Sequence, residues 1–336
     1  MSSGRVDLVV PGVFDRLSEW QADYAGLPTF AKLAGWWGRG VAEAIDGRGY
    51  EATLWRLLRG AIAADTELPV ARALCDRAGA TVCRADPAHL RADVSDLIVS
   101  GLTAAPLDAA EREAIANLVG AHVREYGGWF QLEADGAGYL GLPDALGLGT
   151  VPPSRAYGRA VRRNLPAASA RRVLHGLLNE VQMLLHRAPF NAARALRGAP
   201  TANTLWVWGG GTEAVEASHD YAAIVADDAL VAGLAARAAI PVDEWLARPA
   251  FPDGDTLIVW DRLLEPALYD DLNAWLEAMQ IFETRLRPFL RQALARGAYR
   301  ELRIIPCNGT LFRLRRWDRW LRWRAPNALN ALGKPM

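Results

Sequence analysis

The chain has 336 residues, 51% hydrophobic and 23% charged, the balance of an ordinary globular protein with enough length to bury a large core. Its 38 basic and 38 acidic side chains cancel, so no global field draws in nucleic acid or an anionic membrane. Cys75, Cys83 and Cys307 lack the C-x-x-C spacing of a zinc ribbon or redox pair, and no apolar run approaches the roughly 18–20 residues of a membrane span. No charged-then-apolar leader opens the sequence, and a cytoplasmic protein is expected.

In chain order, Val6–Val10 reads as a short strand closed by Pro11-Gly12, and Pro28–Ala34 starts a helix with Phe30, Leu33 and Ala34 at helical spacing. Residues 51–64 and 67–76 have helical character. Strands are expected at Ala80–Cys83 and Asp96–Val99, then a helix capped by Asp108 and a hairpin of Trp129–Glu133 with Gly138–Leu142. Leu174, Leu177, Leu178, Val181, Leu184 and Leu185 give Ala168–Arg187 a wide apolar helical face. A strand at Thr204–Trp208 follows, then a helix near residues 227–239 and a buried strand at Thr256–Trp260. A long amphipathic helix over Leu272–Arg296 precedes a strand at Glu301–Ile305 and the Asn308-Gly309 turn. These elements suggest a larger fold in two parts, 1–78 and 151–312, interrupted by an insertion. Residues 79–150 form an inserted α+β cap, and 313–336 an Arg/Trp-rich C-terminal helix and tail.

The segment 197–211 is the first place to look for a ligand. Its apolar strand ends in Gly209, Gly210 and Gly211, whose N–H groups could cradle an anion if the strand lies in a parallel sheet. Two readings stand for the other polar residues. Arg84, Asp86 and His89 either read an anionic or sugar-like ligand, or Asp86-Pro87 makes a turn with His89 at the surface. Asn191 and Asn203 either bond loop backbones or face a ligand. In the tail, Trp317, Trp320, Leu321 and Arg324 share one helical face. They either dock on a partner or surface, or pack on the core while arginine stems snorkel; nucleic acid is disfavoured without a broader basic excess.

The order of landmarks resembles the archaeal-type cofactor-independent phosphoglycerate mutases of the alkaline phosphatase superfamily, and more closely a bacterial branch of RpfE-type regulatory proteins. The residues that carry the likeness are His186-Arg-Ala-Pro-Phe-Asn191, Arg194, Arg197-Gly198, Pro200, Ala202-Asn203 and Trp206-x-Trp208-Gly209-x-Gly211. Pro28–Ala34 is similar to the superfamily's Thr-Pro-Asn-Leu-Asp-x-Leu-Ala element, and Cys83-Arg-Ala-Asp86 to the mutases' Phe-Arg-Cys-Asn. The resemblance implies a doubly wound, mostly parallel α/β sheet of alkaline-phosphatase type with a small inserted cap. It also implies two divalent metals held by aspartates and histidines, and a serine nucleophile. At the matching positions this chain has Pro11, Leu68, the pair Leu264 and Leu268, Cys307-Asn308 and Val151–Ser154. Hard divalent ions need converging oxygen and nitrogen donors, which these residues do not offer.

The expectation is therefore a catalytically degenerate, regulatory or ligand-binding pseudoenzyme with no catalytic residue, metal or other cofactor. It would bind a small anionic ligand through Arg84, Asp86, His89, Asn191, Arg194, Asn203, Trp208 and Gly209–Gly211. Two alternatives remain open: an active mutase or phosphatase whose two metals sit on unaligned ligands, and a docking module for a protein partner built on Trp317, Trp320 and Arg324.

Overall fold

The computed structural model describes residues 4–61, 67–93, 96–103, 105–146, 148–161, 168–210, 215–320 and 328–333. They belong to two compact units, Met1–Ala61 with Ala217–Met336, and Ile62–Glu216. The strands, in chain order, are Arg5–Val9 (β1), Val41–Ala44 (β2), Thr81–Ala92 (β3), Leu97–Ser100 (β4), Trp129–Leu132 (β5) and Gly138–Leu142 (β6). Thr204–Trp208 (β7), Tyr221–Val225 (β8), Asp255–Val259 (β9), Glu301–Ile305 (β10) and Thr310–Arg315 (β11) complete the set.

The first unit holds a six-stranded mixed sheet in the order β2-β11-β10-β1-β9-β8. β10, β1, β9 and β8 run parallel, and the Asn308-Gly309 turn reverses the chain into the antiparallel β11 and β2. In register, Val9 lies level with Ile305 on one side and Val259 on the other, so three parallel strands end together. Alternation along β1 sends Val6, Leu8 and Val10 into one core cluster with Ile258, Trp260, Leu302 and Ile304. Trp37, Trp275 and Phe282, from helices on that face, fill the same cluster. Burying each such ring contributes on the order of 2–3 kcal/mol.

The predicted helix over Leu272–Arg296 exists with a defect. α-Helical turns at Leu272–Ile281 and Arg287–Arg296 flank a π-helical segment, Phe282–Leu286. Pro288 explains the defect, because it brings no N–H for the preceding turn and its ring crowds that turn. The tail also departs from expectation. Residues up to Arg315 belong to β11, and Arg316–Trp320 forms one 3-10 segment instead of continuing a long helix. Trp317 and Trp320 are 68% and 61% exposed, so these two rings do not pack on the core. Leu321 and Arg324 lie outside the described residues.

The second unit is built on β3. Its first four residues pair with β6 and its last four with β4, while Arg84–Ala88 pairs antiparallel with β7. The turn considered at Asp86-Pro87 is therefore strand. Pro87 sits between the span paired to β6 and the span paired to β4, where its missing N–H breaks no ladder on that side. The helix Ala109–Glu125 begins with the predicted Asp108 cap, completed by Glu111 into a reciprocal capping box. Its Ile115, Val119 and Val123 meet Leu174, Leu177, Val181 and Leu185 of the helix Ala168–Arg187 in one core.

The boundary expected at 150/151 falls inside this unit. β7, expected in the core sheet, is held by β3 through ladder bonds that local sequence does not encode. Among the described residues, no helix is long and apolar enough to cross a membrane.

Candidate functional site

In the second unit the structure brings Arg84, Asp86 and Trp208 together because they share one face of the β3–β7 ladder. Asp86 Oδ1 accepts from Arg84 Nη2 at 2.6 Å and from the Gly138 N–H at 3.0 Å, and Asp86 Oδ2 accepts from Trp208 Nε1 at 2.6 Å. The Arg84 guanidinium lies 5.1 Å from the Tyr139 ring centre and 5.4 Å from that of Trp208. Burial works against the charge on Arg84, and Asp86 outweighs it, raising the pKa of the guanidinium. Tyr139 is pushed up to about 12, chiefly by burial. This is a closed ion pair between two rings, with both carboxylate oxygens engaged.

The glycine turn after β7 is also internally bonded. Gly209 has φ +68°, and its carbonyl accepts from the Ala71 N–H at 3.0 Å. The Gly210 N–H, expected to face an anion, donates to Glu67 Oε1 at 3.1 Å. Glu67 also accepts from the Thr150 hydroxyl at 2.7 Å and the Gly149 N–H at 3.0 Å. The chain thus supplies its own anion to the turn. A Cβ on Gly210 would lie 2.4 Å from Leu148, so the turn needs glycine for space as well. Gly211 lies outside the described residues.

The remaining nominated residues are joined to backbone. His89 Nδ1 lies 2.9 Å from the Thr201 carbonyl oxygen. Asn203 Oδ1 accepts from the Leu90 N–H at 2.7 Å while its Nδ2 donates to the Leu90 carbonyl at 2.9 Å, extending the β3–β7 pairing by a side chain. Asn191 bridges the Leu185 and Ala202 carbonyls and accepts from the Ala202 N–H. Arg194 is fully buried against Glu111 and three carbonyls.

In the first unit, the parallel strands end where an α/β sheet carries its chemistry. β1 ends at Pro11-Gly12, with Gly12 at φ +80°. A Cβ there would lie 2.3 Å from the Leu263 carbonyl oxygen and 2.7 Å from Leu264 Cα, while the Gly12 carbonyl accepts from Trp275 Nε1 at 3.0 Å. The backbone after β9 thus closes directly over the end of β1. After β10, Cys307 is buried, with φ +64°, and burial pushes its thiol up.

The set Pro11, Leu264, Leu268, Cys307 and Asn308 does not fit two hard divalent ions. Among the described residues, no three His, Cys, Asp or Glu side chains are grouped so as to hold a metal ion.

The chain is similar in structure to the PH0037 protein from Pyrococcus horikoshii. That likeness covers 94% of this chain and 88% of the other, at 17% identity and a TM-score of 0.49. It is also similar to the cofactor-independent phosphoglycerate mutase from Thermoplasma acidophilum. Here coverage is 93% and 90%, identity 14% and the TM-score 0.36. No protein-family model matches the sequence, and no curated protein matches it.

The residues not nominated from sequence are Asp227 and Asp228 after β8 and Asp261 after β9. Each lies within three residues of the end of an apolar strand, which is the signal that could have found them. Asp227 accepts from the Val242 N–H at 2.9 Å and Arg262 Nη2 at 3.0 Å. Asp228 accepts from the Tyr50 hydroxyl at 2.8 Å and caps the next helix through the Leu230 N–H. Burial first, then Asp228 and Asp227, push the Asp261 carboxyl up to about 7.

A carboxyl raised in the folded state is easier to charge in the unfolded chain. Stability from Asp261 is therefore intact below about pH 4 and falls as the pH climbs toward 7. Asp261→Asn is expected to stabilise the protein by about 1–2 kcal/mol at pH 8 and by little at pH 4, read by denaturant titration. Equal effects at both pH values would remove the case for a raised carboxyl.

Proposed function

We propose that this chain is a catalytically degenerate, phosphoglycerate-mutase-like protein of the alkaline phosphatase superfamily, a cytoplasmic relative of the RpfE-type regulatory proteins. Its core sheet would be wound as in that superfamily, and its role would be regulatory or ligand-binding. The order of motifs along the sequence supports the relationship. One observation carries the loss of catalysis: the end of β1 presents Pro11-Gly12 beneath the Leu263–Leu264 backbone, where metal-assisted phosphoryl transfer needs carboxylates. A retained small-anion site would use the Arg84, Asp86 and Trp208 group, opening only if a ligand displaces an internal bond.

Metal analysis of the purified chain, with mutase and phosphatase assays in manganese, tests this. Substoichiometric metal and no turnover are expected. Two bound ions per chain with turnover would overturn the proposal. A second reading, an active enzyme on unaligned ligands, would have to draw on Asp227, Asp228 and Asp261 at neighbouring strand ends, which are not grouped so as to hold a metal ion. It requires that Asp261→Asn abolish turnover in the same assay.

A further inference from the structure

In the first unit, a cavity of about 590 Å³ opens between the helices Ala31–Trp37 and Arg287–Arg296 and the end of β11. Small-molecule pockets span roughly 300–1,000 Å³. Its walls are apolar, with Trp36, Leu294 and Leu314 buried and Phe289 half-buried. Its more exposed side carries the guanidiniums of Arg291, Arg315 and Arg316, with Asp318 the carboxylate among the described lining residues.

Among the described residues, Arg291 and Arg316 lack the ion pairs that several other surface arginines form. Arg16, Arg56, Arg262 and Arg313 each face an acidic side chain. In the cavity, Asp318 accepts from the Arg315 backbone N–H at 2.7 Å, and Arg315 Nε reaches Glu301 at 2.9 Å. Among the described residues, Arg291 and Arg316 have no carboxylate partner, and Arg316 rests 5.6 Å from the Trp317 ring centre. Two guanidiniums without counter-ions beside an apolar wall complement a molecule with an anionic head and a hydrophobic or aromatic body.

We infer that this cavity binds an organic phosphate, its phosphoryl group held by Arg291 and Arg316 and its carbon body covering Trp36, Phe289 and Leu314. A phosphoryl group suits the site better than a single carboxylate because it offers enough charge and acceptors for two guanidiniums. The same chemistry comes from two sources, a soluble nucleotide or the headgroup of an anionic phospholipid. The exposed Trp317, between the lining residues Arg316 and Asp318, would lie at the bilayer interface in the second case. The site is separate from the ends of β1, β8 and β9, and its occupancy does not depend on any activity there.

The test uses the full chain, with adenosine monophosphate followed by calorimetry and phosphatidylglycerol vesicles followed by co-sedimentation. Phosphatidylcholine vesicles serve as the uncharged control. Binding of at least one anionic probe is expected, weakened by salt and reduced at least about tenfold in the R291E/R316E double variant. The R248E/R300E pair, which changes net charge equally on exposed arginines outside the cavity, should bind as the parent does. Nucleotide binding identifies a soluble ligand, and binding to phosphatidylglycerol but not phosphatidylcholine vesicles a lipid headgroup. Failure of both probes, unaltered binding by R291E/R316E, or an equal loss in R248E/R300E would overturn the assignment. Should R291E/R316E melt at a lower temperature, the neutral R291Q/R316Q pair carries the same comparison.

Discussion

Arg194→Leu is expected to destabilise the second unit by about 3–5 kcal/mol, the cost of breaking a buried ion pair from one side. Arg194 is 0% exposed, and its Nη1 donates to Glu111 Oε2 at 2.7 Å. Nε donates to the Pro200 carbonyl at 2.7 Å, and Nη2 to that of Ala105. Leucine fills part of the volume but leaves a buried carboxylate short of its partner and the carbonyls unpaired. Lysine keeps the charge and loses the planar fork, so Arg194→Lys should recover only a minor part. Burial opposes ionisation of Glu111, but hydrogen bonds from Arg197 and the Asp108 N–H, together with Arg194, outweigh it and hold the carboxyl below its ordinary value. Stability from a depressed carboxyl is present above its unfolded pKa and is lost as pH falls through the folded one. Denaturant titrations at pH 7 and in acid should therefore show the gap between parent and Arg194→Leu narrowing as pH falls. A loss below about 1 kcal/mol at pH 7 would mean that the buried network is not what holds this region.

Arg194 also shows how far the sequence could be read. Its place in the series from His186 to Gly211 marked it as important. Its partner Glu111 lies 83 positions earlier and was visible only as the third residue of a capped helix. The legible features were local: the apolar face of Ala168–Arg187, the Asp108 cap, the β5–β6 hairpin and the Asn308-Gly309 turn. Each depends on residues close together in the chain.

The features that differed are set by long-range pairing. β3 runs straight through Pro87 because β7 binds it from elsewhere in the chain, and the Gly210 N–H meets Glu67 across 143 positions. A glycine-rich turn reads the same whether it awaits a phosphate or already holds a carboxylate. Pro11, Leu264 and Leu268 were legible as poor metal ligands because hard divalent ions demand particular donors that proline and leucine lack. Asp261 was not, since a lone aspartate after a strand gains its raised pKa only from burial beside Asp228 and Asp227.

Asp7→Ala is expected to cost about 3–5 kcal/mol in the first unit and to leave any ligand binding at the strand ends unchanged in the fraction that remains folded. Asp7 is the carboxylate in β1 nearest to Pro11, and it is 0% exposed. Its oxygens are taken by Arg303, its level partner on β10, through a bidentate pair with one bond of 2.6 Å. The Tyr221 hydroxyl donates to Asp7 Oδ2 at 2.6 Å, and Arg5 lies at 3.4 Å. Burial first, and then the Asp7 carboxylate, raise the Tyr221 hydroxyl well above its ordinary value, so it stays protonated and donates. Removing the carboxylate strands the guanidinium of Arg303 and the buried hydroxyl of Tyr221 between strands β10, β1 and β8, which hold the sheet's parallel half together. Asp7→Asn keeps the shape and one acceptor but loses the charge, and should fall between Ala and the parent. Thermal and denaturant melts of the three proteins give the ordering. If Asp7→Ala were instead as stable as the parent while metal or anion binding disappeared, Asp7 would be a ligand rather than a strut. The degenerate reading of the β1 end would then fail with it.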